Sequence, residues 1–205
     1  MQTQNISSFV FGGGGLSHLR ALAEQISANQ PEILKRLRAI YETKIDAVRI
    51  RCHGDYHLGQ VLYTGKDFFI FDFEGEPARP IGERRIKRSA MRDVAGMIRS
   101  FHYVAHFAVL HQLELGTIHG ERLAQLRLWA DCWYSWIGAA FLHAYRTTVG
   151  NSELLPGSKE QLQVLLYAHL LEKAVYELSY ELNNRPEWVR IPLEGVRQLL
   201  ELASK

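Results

Sequence analysis

The chain has 205 residues, enough for one well-buried domain or one lobe of something larger, and its 47% hydrophobic and 22% charged residues are ordinary for a globular protein. Its 24 basic and 22 acidic side chains leave a formal charge of +2, without the basic excess of a nucleic-acid or membrane-surface binder. Met1 to Ser8 show no secretory pattern, and no apolar run reaches membrane-spanning length, so the expected setting is cytoplasmic, with neither nucleic acid nor membrane as partner.

Phe11 is followed by Gly12, Gly13, Gly14 and Gly15, a run without the Lys-Ser or Lys-Thr of a phosphate loop, which reads as a flexible connector. Helical patterning begins near Leu16 and resumes after Pro31, with Ile33, Leu37, Ile40 and Tyr41 on one face. Val48, Ile50 and Cys52 alternate with polar neighbours, as in a half-buried strand. Val61 to Tyr63 and Phe68 to Phe71 read as a hairpin turned by Thr64, Gly65 and Lys66. Everything after Met91 is patterned as helix. Leu123, Leu126, Ala130, Trp133, Ile137, Phe141 and Ala144 mark one apolar stripe. Pro156-Gly157 breaks the pattern, Ser158 with Gln161 signals a capping box, Pro186 ends that helix, and Pro192 opens a last one reaching Leu202. Cys52 and Cys132 read as reduced packing residues. The expected fold class is mainly α with a small β-hairpin region.

The chemistry concentrates between Cys52 and Pro77, which read H-G-D-Y-H-L-G-Q-V-L, a turn, then F-F-I-F-D-F-E-G-E-P. Asp55 and Asp72 each follow a strand-like run, and the amide Gln60 lies five residues past Asp55. Phosphoryl transfer needs a carboxylate at the acceptor hydroxyl and oxygen ligands that hold magnesium against the phosphates. Magnesium favours carboxylate and amide oxygens, which suits Asp72 and Gln60. Taken singly, each of these residues could simply shape a turn or cap a loop. Together they make phosphoryl transfer the better reading.

The H-G-D-x-H-x-x-[N/Q] run, the hairpin and the following Asp resemble the aminoglycoside-phosphotransferase-like branch of the protein-kinase-like fold. The longer stretch, through D-F-E-G-E-P to E-R-R-x-K-R-S and R-D-V-A-G-M, resembles maltokinases, some of which are fused to trehalose synthase. That resemblance implies the C-terminal lobe of such a kinase and ATP-dependent phosphorylation of maltose to maltose 1-phosphate. It implies Asp55 as catalytic base, His53 as a catalytic-loop residue near the sugar or orienting the loop, and Gln60 and Asp72 as ligands of Mg2+ and so of ATP. Glu74 is a weaker metal candidate, and Asp93 is implied to hydrogen-bond the catalytic-loop backbone. Ala90 departs from the Pro expected there. Maltose, and trehalose synthase where fused, are the implied partners.

Lys173, Tyr176 and Tyr180 are spaced to share one helix face, and the resemblance implies that they contribute to the maltose pocket; Trp188 is a further sugar-contact candidate. An amphipathic helix burying its tyrosines is the plainer reading of the same spacing. The run Glu83, Arg84, Arg85, Lys87 and Arg88 reads as solvated surface and argues against a polycationic substrate. His102 and His106 stand four apart without an evident third ligand, which makes zinc the weaker reading.

No V-A-x-K-like strand precedes His53, so the N-terminal ATP lobe is expected to lie outside this chain, leaving it inactive alone. Residues 1–205 then form one helical lobe: connector and helices over 1–46, catalytic loop, hairpin and metal loop over 47–90, and a helical substrate-binding part over 91–205. A different small-molecule kinase of the same fold, or a non-catalytic binding module, remain the alternatives.

Overall fold

The computed structural model describes residues 15–202, so Gly12, Gly13 and Gly14 lie outside the described residues. Gly15, expected in a connector, instead opens the first helix. Helices α1 (Gly15–Ala28) and α2 (Gln30–Glu42) lead into an extended segment, a 3-10 turn (Leu58–Gln60), and strands β1 (Val61–Tyr63) and β2 (Phe68–Ile70). A short α3 (Ile81–Arg84) precedes the long helices α4 (Met91–Glu114), α5 (Gly120–Val149) and α6 (Lys159–Asn184). A 3-10 turn (Pro186–Trp188) and α7 (Arg190–Leu202) complete the described chain. The mainly helical expectation with one small hairpin holds.

The core forms where helical periodicity brings apolar residues to common faces. Met91, Val94, Ala95 and Ile98 of α4 meet Leu162, Leu165, Leu171 and Ala174 of α6. Leu193, Val196 and Leu199 of α7 and Leu19, Leu22 and Ile26 of α1 close the same cluster. The spacings of three and four are those of a single helix face. On α2, Ile33, Leu37 and Ile40 pack against this core, whereas Tyr41 is 89% exposed, because one residue further turns the side chain about 100° away. The expected α5 stripe is likewise incomplete: Ala130 is buried, but Trp133 is 47% exposed and Ala144 is exposed.

The strand expected over Val48 to Cys52 is not formed. The segment is extended, yet its contacts are isolated: an antiparallel bridge between Ile50 and Arg88 with N–H···O distances of 2.9 and 2.8 Å, and a single bond from the Val48 N–H to the Glu153 carbonyl at 2.9 Å. Among the described residues no second strand runs beside it to extend the ladder. The hairpin does form, antiparallel, pairing Val61 with Ile70 and Tyr63 with Phe68, and its second strand stops at Ile70 rather than Phe71. Its apolar side chains, Leu62, Tyr63, Phe68, Phe69 and Ile70, all face solvent.

Ser158 caps α6 by accepting from the Gln161 N–H, but the reciprocal half of the capping box is absent. The Gln161 amide oxygen accepts from the Asp46 N–H at 3.1 Å, fastening the extended segment to α6 instead. Pro192 sits in the first turn of α7 rather than at its start. No described helix is long and apolar enough to cross a membrane.

Candidate active site

The loop carrying Asp55 is shaped from α4. Asp93, in the first turn of that helix, accepts from the His53 N–H at 2.7 Å and from the Gly54 N–H at 2.9 Å. Both carboxylate oxygens are thus used to hold the backbone beside Asp55, the role implied for this residue. Gly54 has φ 89°, a conformation L side chains rarely adopt. Gly96, one turn along α4, allows the helix to touch the loop: a Cβ there would lie 2.6 Å from the Tyr56 carbonyl oxygen.

Asp55 lies partly buried at the floor of a cleft. Lys173 donates to its Oδ1 at 3.1 Å, and His57 Nε2 lies 3.6 Å from Oδ2. The other His57 nitrogen accepts from the Gly59 N–H, so the proton belongs on Nε2, facing Asp55. Burial pushes the Asp55 pKa up, but hydrogen bonding from His57 and the Lys173 charge outweigh it and hold the carboxyl well below the usual range. Asp55 is therefore ionised near neutral pH.

His53 is turned into the loop packing. Its ring is buried, Nε2 donates to the Phe71 carbonyl at 2.8 Å, and Nδ1 faces the Asp55 N–H at 3.4 Å. Both nitrogens are engaged, and the ring does not line the cleft; of the two roles implied for it, the geometry is that of loop orientation. Gln60 and Asp72 meet across the base of the hairpin, with Gln60 Nε2 2.9 Å from Asp72 Oδ2. Asp72 adopts φ 64°, unusual for a residue with a side chain. Glu74, the weaker metal candidate, is exposed; Glu76 lines the cleft, 3.7 Å from Lys173 and beside Tyr176. The His102 and His106 rings lie 4.2 Å apart between centroids at a tilt of 43°, and no cluster of three or more metal-ligating side chains occurs among the described residues.

The cleft has a volume of about 840 Å³ and brings Lys173, Tyr176, Tyr180 and Trp188 to the same space as Asp55. Gln60 and Asp72 lie outside its lining. The four helix-borne residues are not loose sugar contacts. Lys173 is committed to Asp55 and Glu76, with its ammonium 5.1 Å from the Tyr176 ring centroid. Arg185 lies 4.2 Å over Trp188 and 5.3 Å over Tyr180. It also bonds the fully buried Glu181, which accepts from the Tyr103 hydroxyl at 2.6 Å. Burial and the Glu181 carboxylate raise the Tyr103 phenol pKa, so it remains a donor. Beneath them Arg99, 1% exposed, donates twice to Glu177.

His57, Glu76, Tyr103, Glu177, Glu181 and Arg185 are the site residues that sequence reading missed. His57 and Glu76 stood inside quoted motifs. Glu177 and Glu181 continue the Lys173 helix face at steps of four, a signal that periodicity alone could have used.

No protein-family model matches the chain. It is 31% identical over 155 residues to a glucosamine kinase of Streptacidiphilus jiangxiensis, a match covering 74% of this chain and 32% of that protein. A glucosamine kinase of Mycolicibacterium smegmatis is 29% identical over 157 residues, covering 73% of this chain and 34% of the relative. The chain thus spans about a third of the length of the curated relatives it matches. Among solved structures, a glucosamine kinase in one crystal form superposes with TM-score 0.69 at 27% identity, covering 89% of this chain and 42% of the other. A glucosamine kinase in complex with glucosamine, ADP and inorganic phosphate superposes with TM-score 0.64 at 26% identity, covering 88% and 40%. The relatives are sugar kinases. These relatives support a sugar kinase and not maltokinase in particular.

Proposed function

We propose that the chain is the acceptor-binding, C-terminal lobe of an ATP-dependent sugar kinase, and that its preferred acceptor is a hexosamine. The observation that carries the reading is Asp55, ionised at the floor of a sugar-sized cleft, with the Gln60–Asp72 pair at the neighbouring hairpin. In this reading a sugar hydroxyl donates its proton to Asp55 as its oxygen attacks the γ-phosphorus and the bond to ADP breaks. Lys173 and His57 keep Asp55 charged and aimed until the proton moves. Tyr176, Tyr180 and Trp188 supply apolar surface for the pyranose, and the acidic residues accept its hydroxyls.

One carboxylate and one amide, both at an exposed hairpin base, fit a divalent cation that keeps water and phosphate oxygens as its remaining ligands. Gln60 and Asp72 would hold magnesium there, and the ion would supply charge neutralisation for the triphosphate. The names of the relatives support a hexosamine. So does the charge of the cleft, where Asp55, Glu76, Glu177 and Glu181 face three paired cations, Lys173, Arg99 and Arg185. Maltose is the second reading, favoured by the aromatic wall and by a cleft larger than one pyranose needs.

Calorimetric titration with glucosamine, glucose and maltose tests the acceptor directly. Glucosamine is expected to bind tightest, and Tyr180→Ala to weaken it without changing nucleotide affinity; tighter maltose binding would restore the disaccharide reading. In the protein with its nucleotide-binding part, Asp55→Asn should lower kcat by about 10²- to 10⁴-fold with a smaller change in KM. A kcat close to wild type removes Asp55 from the mechanism.

A further inference from the structure

Helix α4 borders a second cavity. Val104 and Phe107 line the sugar cleft, whereas His106, Val109 and Leu110 turn to another face and line a groove of about 400 Å³. Arg127 and Asp131 of α5 and Arg190, Glu194 and Arg197 of α7 form its polar walls. The carboxylates and one arginine are already matched. Asp131 accepts from Gln198 at 2.8 Å and lies 3.2 Å from His106 Nε2, and Glu194 accepts from Arg197 at 2.8 Å.

Arg127 and Arg190 are different. Both are half-buried, and neither makes an ion pair or hydrogen bond with another described residue. Burial depresses the pKa of each, the Arg127 charge depresses Arg190 further, and the Glu194 carboxylate partly opposes both shifts. Glu194, itself bonded to Arg197, is the shared counter-charge for both, and two half-buried guanidiniums without a direct ion pair keep donors free for an anionic ligand. The first turn of α7 adds the positive end of a helix dipole to the same place.

We propose that this groove is a second ligand site, binding a phosphate monoester of a small polyol through Arg127 and Arg190. The planar guanidinium fork matches phosphate oxygens, and two of them compensate a dianion. A bare phosphate would leave most of the groove empty and would face Asp131 and Glu194 directly. A polyol attached to the phosphate fills the remaining space and offers hydroxyl donors to those carboxylates, and the volume lies in the range of small-molecule pockets. The site does not depend on the kinase reading, since none of its residues lines the sugar cleft.

Titration of the full chain with glucose 6-phosphate, inorganic phosphate and glucose, followed by calorimetry, separates the possibilities. The phosphorylated sugar is expected to bind saturably, inorganic phosphate at least tenfold more weakly, and glucose not at this site. Arg127→Gln and Arg190→Gln should each weaken glucose 6-phosphate at least tenfold, while Asp55→Asn leaves it unchanged. In phosphate-free buffer both arginine variants should melt at or close to the wild-type temperature, because each removes a half-buried charge that no direct ion pair holds. Absence of saturable binding, binding indifferent to both arginines, or a marked fall in melting temperature without ligand overturns the proposal. Equal affinity for inorganic phosphate overturns its polyol part.

Discussion

The helical body and the segment over residues 47–90 are held by different means. In the body, Met91, Leu171, Ala174 and Val196 are fully buried, and stability comes from apolar area removed from water. In the 47–90 segment the side chains of Leu62, Phe68, Phe69 and Phe73 stand in solvent, and the chain is placed by a handful of polar contacts. Among them are Asp93 to two loop amides, His53 to Phe71, Lys173 to Asp55, Arg79 to Glu172, and the Ile50–Arg88 bridge. The chemistry therefore resides in the part with the least core of its own. Segments with few buried apolar contacts open locally before the whole domain does, so the site's order rests on α4 rather than on the hairpin.

The sharpest way to break this contrast is to remove one anchor from each region. Asp93→Asn should cost little melting temperature, yet release the His53 and Gly54 amides to fast hydrogen exchange. In the active protein it should lower kcat on the order of 10²-fold, because a displaced base loses its alignment. Unchanged exchange at those two amides would show that the loop is held by something else. Leu171→Ala should do the reverse, destabilising the body by about 2–5 kcal/mol in denaturant melts while sugar affinity of the folded fraction is kept.

Glu172 tests the seam. It lies on α6 and pairs with Arg92 of α4 at 3.0 Å and with Arg79 of the loop segment at 3.3 Å. Hydrogen bonding from His169, aided by Arg92 and opposed by burial, pulls its pKa down to about 2 from 4.5. A depressed carboxylate contributes stability that is complete above about pH 4.5 and is lost as pH falls toward about 2. Glu172→Gln should therefore flatten the acid limb of the stability profile in that window, a smaller effect than the other two. An unchanged acid limb would mean that the two regions are not joined through this carboxylate.

Much of the site was legible because its residues are close in sequence. Asp55, Gln60 and Asp72 fall within eighteen positions, and a loop and a two-stranded turn bring such neighbours together by local geometry alone. The Lys173, Tyr176 and Tyr180 face was legible from helical spacing, but its partners were not. Lys173 reaches Asp55 across 118 residues, and Tyr103 reaches Glu181 across 78, pairings that no local pattern encodes. The failed strand at Val48 to Cys52 has the same origin: alternation describes a chain's own faces, whereas a strand needs a neighbour.

By itself, then, the sequence determined the helices, the hairpin and the likeness of the H-G-D run to a phosphotransferase loop, since these depend on periodicity and on turn chemistry within a few residues. Only the tertiary structure decided that Glu76 joins the cleft, that His53 is spent on loop packing, and that Arg127 and Arg190 share a groove without a direct ion pair. The physical reason is that electrostatic partnership depends on distance in space, and the packing of α4 against α5, α6 and α7 sets those distances.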